Sequence, residues 1–169
     1  ADRITHLVPE KIPGNRFWRS TRRSTWRREE YQRNHLAVGI KRLAPASEDL
    51  VLLSDVDEIP DPQTLADLKG ADFSGIANLE QDMYYYDVTC RHPGKWILPI
   101  VSSFDALQSN LSSLHQLRID RSALENPRLI AKGGWHFSYF GGIDAILTKI
   151  KNFSHTEFDT PEIANHDSI

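Results

Sequence analysis

The stretch that most constrains this chain runs from Asp49 to Pro60, where the apolar residues Leu50, Val51, Leu52 and Leu53 lead into Asp55, Asp57 and Glu58. An apolar run of this length, rich in branched residues and bounded by polar ones, reads as a strand buried on both faces. Pro60 cannot donate to a sheet ladder, so the strand ends by then. The reading is therefore a central parallel strand with a D-x-D-E cluster at its C-terminal end, the edge where open α/β sheets bind ligands. Carboxylates packed against a core need compensation. A divalent cation supplies it, and hard oxygen ligands suit Mn²⁺ or Mg²⁺. The plainer reading is a solvated turn after a strand.

The 169 residues suffice for one domain with a real core, and no repeat or linker in the sequence divides them. The expected organisation is a single domain with a basic arm at 1–24, a core at 25–158 and a frayed tail at 159–169. Net charge is −3, which argues against general nucleic-acid affinity. The charge is uneven, because Arg16, Arg19, Arg22, Arg23, Arg27, Arg28 and Arg33 crowd one segment. With Phe17 and Trp18 among them, this segment reads as a solvated face, as an anion-binding loop or, last, as a nucleic-acid contact. One cysteine, Cys90, rules out an internal disulfide framework. No apolar stretch has membrane-spanning length, and no signal peptide is visible at Ala1. The lack of an anchor and of cysteine pairs points to the cytoplasm of a microbe. Two sequons, at Asn110 and Asn152, matter only in a secreted chain.

In order, Arg3–Val8 alternates as a short strand would. Ser24 or Thr25 caps a helix reaching about Leu43, with Glu29 and Glu30 early and Leu36, Ile40 and Leu43 as its buried stripe. Asp61 and Pro62 open a second helix with Leu65 and Leu68 on its apolar side, stopped by Gly70. Strands are expected at Phe73–Leu79, Met83–Val88, Trp96–Val101 and Leu114–Ile119, with a serine-rich loop over Ser102–Ser113. The three tyrosines Tyr84, Tyr85 and Tyr86 must face both sides of a strand. They pack in a core or offer one face as a sugar-stacking platform. Two glycine pairs, Gly133-Gly134 and Gly141-Gly142, bracket a segment read as a closing loop. Ile143–Phe153 reads as an amphipathic helix with Ile143, Ile146, Leu147 and Ile150 on one side.

Taken together, Leu52 to Pro60, Glu30 to Asn34, and Gly134-Trp135-His136-Phe137-Ser138 with Lys149 and Phe153 resemble glycosyltransferase family 17. Its best-known member adds the bisecting GlcNAc to mannosyl glycoproteins. The resemblance covers most of 25–157. It implies a GT-A-like α/β fold with a mixed, mostly parallel sheet flanked by helices, a UDP-sugar donor, a glycan acceptor, a divalent metal and inversion at the anomeric carbon. Animal relatives are Golgi-anchored, which makes the Golgi lumen the alternative compartment. The resemblance also implies a nucleotide-base strand and loop ahead of residue 1, so the domain is expected to be incomplete at its N-terminus.

On this resemblance Asp55 and Asp57 hold Mn²⁺ or Mg²⁺, with His136 as third metal ligand and His155 as its substitute. Glu58 orients that shell or caps the next turn. Arg33, Asn34 and Asp55 contact the donor. Inversion needs a carboxylate base near the acceptor. Glu80 and Asp144 are the candidates, with Glu157 also available. Asp144 opens a helix, where capping explains it as well; Glu80 ends a strand. Two other classes compete. Haloacid-dehalogenase-type phosphatases also place D-x-D after a buried strand, but normally continue with Gly-Thr or Thr-Leu/Val where this chain has Glu58-Ile59. A non-catalytic glycan-binding or assembly module is the third.

Overall fold

The computed structural model describes residues 4–10, 22–120, 128–152 and 160. Helices and sheet share two apolar clusters. Helix α1 (Arg22–Leu43) leads to strand β1 (Leu50–Leu53), β2 (Glu58–Pro60) and α2 (Pro62–Gly70). Strands β3 (Ile76–Tyr85), β4 (Arg91–Trp96) and β5 (Ile100–Ser103) follow. The short helices α3 (Phe104–Leu107) and α4 (Leu114–Ile119) precede β6 (Arg128–Ser138) and α5 (Ile143–Asn152).

The strand order is β1-β5-β3-β6-β2, with β4 also paired to β3. Among the described residues only β3 and β6 run parallel; the pairs β1–β5, β2–β6, β3–β4 and β3–β5 are antiparallel. The sheet is mixed, as expected, but mostly antiparallel among the described strands, which corrects the mostly parallel sheet expected from sequence. Short connections such as the turn between β3 and β4 permit only antiparallel pairing. Strand β1 is likewise an edge strand, paired with β5 alone, not the central parallel strand.

Its apolar alternation is nonetheless two-sided. Leu53 and Val51 join one cluster with Ile100, Leu107, Leu111, Leu114 and Leu117, under Ala37 and Ile40 of α1. Leu50 and Leu52 join the other with Phe73, Ala77, Leu79 and Val101, under Leu65 and Leu68 of α2. Helices thus cover both faces of this part of the sheet, and an edge position leaves most of β1 half-buried.

The strand order also fixes the sheet's shape. β1 and β2 end the order, yet the turn Asp55–Glu58 joins them, closed by Glu58 N–H donating to Asp55 O at 3.1 Å. Such a turn spans less than about 7 Å, whereas four strand spacings of a flat sheet cover about 19 Å. The sheet must curl, and the D-x-D turn sits where its two edges approach.

Several local expectations change. Residues 4–9 form no strand. Helix α1 starts at Arg22, so Ser24 and Thr25 lie inside it and do not cap it. Its inward face is Arg33, Ala37 and Ile40, while Leu36 and Leu43 are exposed. The tyrosines Tyr84 and Tyr85 continue β3 without a break. Ser102 and Ser103 finish β5, and Phe104–Leu107 is helical, so the serine-rich segment is not all loop. Leu114–Ile119 is a helix, because Leu114, Leu117 and Arg118 then share one buried face at i, i+3, i+4. The glycine-rich segment up to Ser138 is the end of the long strand β6, and Gly141-Gly142 follow in the connection to α5, both at positive φ. The glycines of β6 permit strand crossing: a Cβ on Gly133 would lie 2.6 Å from Leu79 Cβ, and one on Gly134 2.1 Å from Ile59 O. The start of α2 agrees with the sequence reading, since Asp61 accepts a hydrogen bond from Gln63 N–H at 2.8 Å. So does α5, where Ile146, Leu147 and Ile150 are buried and Ile143 is the exception.

Candidate active site around the D-x-D turn

Glu58 holds the turn together. Its backbone closes the turn and its carboxylate folds back, Oε2 accepting from Asp55 N–H at 2.7 Å. Ser54 Oγ donates to Glu58 O at 2.7 Å. The other carboxylate oxygen accepts from Arg118 Nη2 and Trp96 Nε1, both at 2.5 Å. The side chain is only 1% exposed, so this carboxylate is a buried charge with a donor on each side. Val56, at the tip of the turn, is 96% exposed. The turn therefore directs Asp55 and Asp57 to different neighbours.

Asp55 faces the helices. Its Oδ2 accepts from Arg33 Nη2 at 2.9 Å and from Arg118 Nη2 at 3.0 Å. Arg118 also donates to Leu53 O at 3.3 Å, and Arg33 pairs with Glu29 one helical turn back. Arg33 Nη1 lies 3.3 Å from His115 Nδ1. Burial, then the nearby Arg33 guanidinium, lowers the His115 pKa below its ordinary value. Asn34 Oδ1 accepts from His115 N–H at 2.9 Å and satisfies a donor in the first turn of α4. Polar residues before the α1 stripe thus anchor one helix to another instead of lying on the surface.

Asp57 faces β6 and α5. Its Oδ2 accepts from Lys149 Nζ at 2.8 Å and lies 3.6 Å from His136 Nε2, in ion-pair range but too far for a good hydrogen bond. Its backbone O accepts from Phe137 N–H at 2.9 Å, which fixes the turn to β6. Burial raises the Asp57 pKa, but His136 and Lys149 more than reverse this and hold the carboxyl well below its usual range. His136 is buried and packs on Trp96 with ring centres 4.3 Å apart. Lys149 Nζ also lies 5.1 Å from the centre of the Tyr139 ring.

The donor set was tested for a divalent ion. Among the described residues no three His, Cys, Asp or Glu side chains converge on one point. Asp57 and His136 do fit as a pair, since a gap of 3.6 Å admits an ion bound to both at about 2.1 Å. Asp55 is turned away by its two arginines. Two polar atoms beside the turn, His136 Nδ1 and Arg118 Nε, are buried without a hydrogen-bond partner. Such atoms are rare in folded proteins and mark incomplete local compensation.

The structure therefore brings Arg33, Asp55, Asp57 and His136 to one turn and places Asn34 one residue behind Arg33. Glu80 is not with them. It is mid-strand in β3, 3.7 Å from Lys95, on the face opposite Met83, which is registered with His136. Asp144 is exposed in the first turn of α5, about 140° around the helix from Lys149. His155, Glu157 and the sequon at 152–154 extend outside the described residues, as do most of the arginine-rich arm and the tail. Sequence reasoning missed Arg118 and Trp96. The available signal for Arg118 was a charged residue inside an apolar run with helical spacing.

The model of glycosyltransferase family 17 matches residues 3–169. The chain belongs to glycosyltransferase family 17. Comparison with curated proteins and with solved structures gives no match. Family 17 is a glycosyltransferase family, and its chemistry is glycosyl transfer, in which a sugar passes from a donor to an acceptor. No helix among the described residues is long and apolar enough to cross a membrane.

Proposed function

We propose that the D-x-D turn is the donor site of a metal-dependent, inverting glycosyltransferase moving GlcNAc from UDP-GlcNAc to a glycan hydroxyl. The observation that carries this reading is the division of the turn between an arginine-bound Asp55 and an Asp57 beside His136 and Lys149. The turn adjoins the C-terminal end of the parallel pair β3–β6, the side favoured for ligands in α/β sheets. A GT-A-like arrangement is our reading of this mixed sheet.

Charge supports a metal. Glu29, Asp55, Asp57 and Glu58 outnumber Arg33, Arg118 and Lys149, so a donor diphosphate would meet excess negative charge. Asp57 and His136 are the residues that would hold Mn²⁺ or Mg²⁺, which when bound neutralises charge on the leaving diphosphate. Arg33 and Arg118 keep Asp55 fixed, and Glu58 keeps the turn closed. Lys149 holds a positive charge beside Asp57. In the reaction the acceptor oxygen bonds to the sugar C1 as the bond from C1 to the diphosphate oxygen breaks. The hydroxyl proton leaves to a carboxylate base, for which Asp144, about 140° around α5 from Lys149, and Glu80, on the other face of the sheet, remain the two candidates.

Calorimetric titration of UDP with and without Mn²⁺ tests the proposal. Metal-dependent binding that disappears in Asp57→Ala is expected. UDP affinity indifferent both to EDTA and to that substitution would sink it.

A further inference from the structure

Strands β3 and β6 stay in register to their last residues, with Tyr85 opposite Ser138. Immediately beyond, Tyr86 and Tyr139 both take left-handed backbone conformations, φ 67° and 59°. Bulky side chains rarely adopt that region. Tyr86 N–H donates to Ser138 O at 3.0 Å, which locks the two ends together. The result is a stack: the rings of Tyr85 and Tyr139 lie 6.2 Å apart at 19°, and those of Tyr86 and Tyr139 6.4 Å apart at 27°. His92 from β4 meets Tyr85 edge-on at 5.8 Å.

Core packing does not account for this group. None of the four residues belongs to either apolar cluster, and Tyr86 is 53% exposed. Strain held at a strand end without a core to fill points to a surface with a use. The stack also adjoins the reaction centre, because Lys149 Nζ touches both the Tyr139 face and Asp57.

We propose that Tyr85, Tyr86 and Tyr139, with His92, form the subsite for a pyranose ring of the acceptor glycan. This rests on the glycosyl-transfer reading above. Aromatic faces carry partial negative charge and attract the C–H face of a pyranose, while the phenol and imidazole groups at the rim serve its hydroxyls. The location selects acceptor over donor. Arg33 and Arg118 lie on the Asp55 side of the turn and the tyrosines on the Asp57 side. A donor whose diphosphate is held by a metal on Asp57 and His136, with its nucleoside toward the Arg33 side, would place its sugar beside Asp57 and leave the tyrosines for the incoming ring.

The test uses saturation-transfer NMR on the full chain with methyl glycosides of mannose, galactose, glucose and GlcNAc, and UDP with Mn²⁺ by calorimetry in parallel. Asn tolerates left-handed backbone, so Tyr86→Asn and Tyr139→Asn remove a ring while keeping the turn; Tyr86→Phe keeps the ring. At least one glycoside should show transfer to its ring protons, weakened about tenfold or more in both Asn variants and kept in Tyr86→Phe. UDP binding should be unchanged in all three. No glycoside signal in the parent chain, or a signal intact in both Asn variants, overturns the subsite. Loss of UDP binding in the Asn variants overturns it too, because the stack would then serve the nucleobase. Tyrosine-dependent glycoside binding in a chain that never binds UDP would uphold the subsite and defeat the transferase reading instead. Unfolding of one Asn variant, read by circular dichroism, leaves the other to decide.

Discussion

Asp55 and Asp57 are one residue apart and live in different surroundings. Asp55 is 43% exposed but tied by two guanidinium groups, one of them on Arg118, which is only 3% exposed. Asp57 is less exposed, at 26%, and its partners are a histidine and a lysine that is itself 31% exposed. The first carboxylate therefore serves a network that joins α1, α4 and the turn. The second has partners that can be given up to a ligand. A motif that reads as a matched pair in sequence is a structural half and a chemical half in space.

The largest effect should come from Glu58, which anchors the structural half. Glu58→Ala takes from Arg118 its buried carboxylate and from Trp96 and the Asp55 N–H their acceptor, a loss of about 3–5 kcal/mol. Thermal unfolding should shift down by roughly 6–20 °C. A shift within error would show that the network holds nothing together. Asp55→Asn comes next, at about 1–3 kcal/mol, because both arginines lose a charged acceptor. Asp57→Asn should cost less stability than Asp55→Asn, since Lys149 can turn to water, yet abolish Mn²⁺-dependent UDP binding. If the two variants exchange these phenotypes, the division is the wrong way round.

Protonation sharpens the same contrast. His115 has a folded pKa below the ordinary 6.5, so below that value the unfolded chain binds a proton that the folded chain resists. Its contribution is present above pH 6.5 and is lost as pH falls. Stability measured by denaturant titration should decline from pH 7 to 5.5, and His115→Gln should flatten the decline. Asp57 acts in a lower window: its contribution is full above the ordinary 3.8 and is lost as pH falls further. The smallest effect belongs to Lys149→Met, which removes a half-exposed ion pair worth about 0–1 kcal/mol. Its melting temperature should barely move.

Where local chemistry dictates structure, the sequence was readable. Asp61-Pro62 starts α2 because the side chain caps and the ring fits the first turn. The buried side of α5 follows from its 3.6-residue spacing. The two-sided apolar character of β1 was also legible, but not its place at the edge. Strand order depends on long-range pairing that no local window contains. Leu114–Ile119 is short enough for strand and helix patterns to overlap, and burial against α1 decides it. The glycines of β6 looked like mobility because the sequence gives no sign of the backbone crossing them. The structure brings the D-x-D and His136, both singled out in the sequence, to one turn, whereas Arg118 was hidden in a segment assigned the wrong periodicity.

Val56 offers a way to watch this division operate. Its side chain is 96% exposed between the two aspartates, so it adds almost nothing to the fold. The natural thiol, Cys90, is exposed and stands outside both half-sites. With Cys90 replaced by serine and Val56 by cysteine, a fluorophore would hang from the tip of the turn. Its emission would register the arrival of metal or nucleotide on either side, and substitutions at Asp55 or Asp57 would identify which side had been filled.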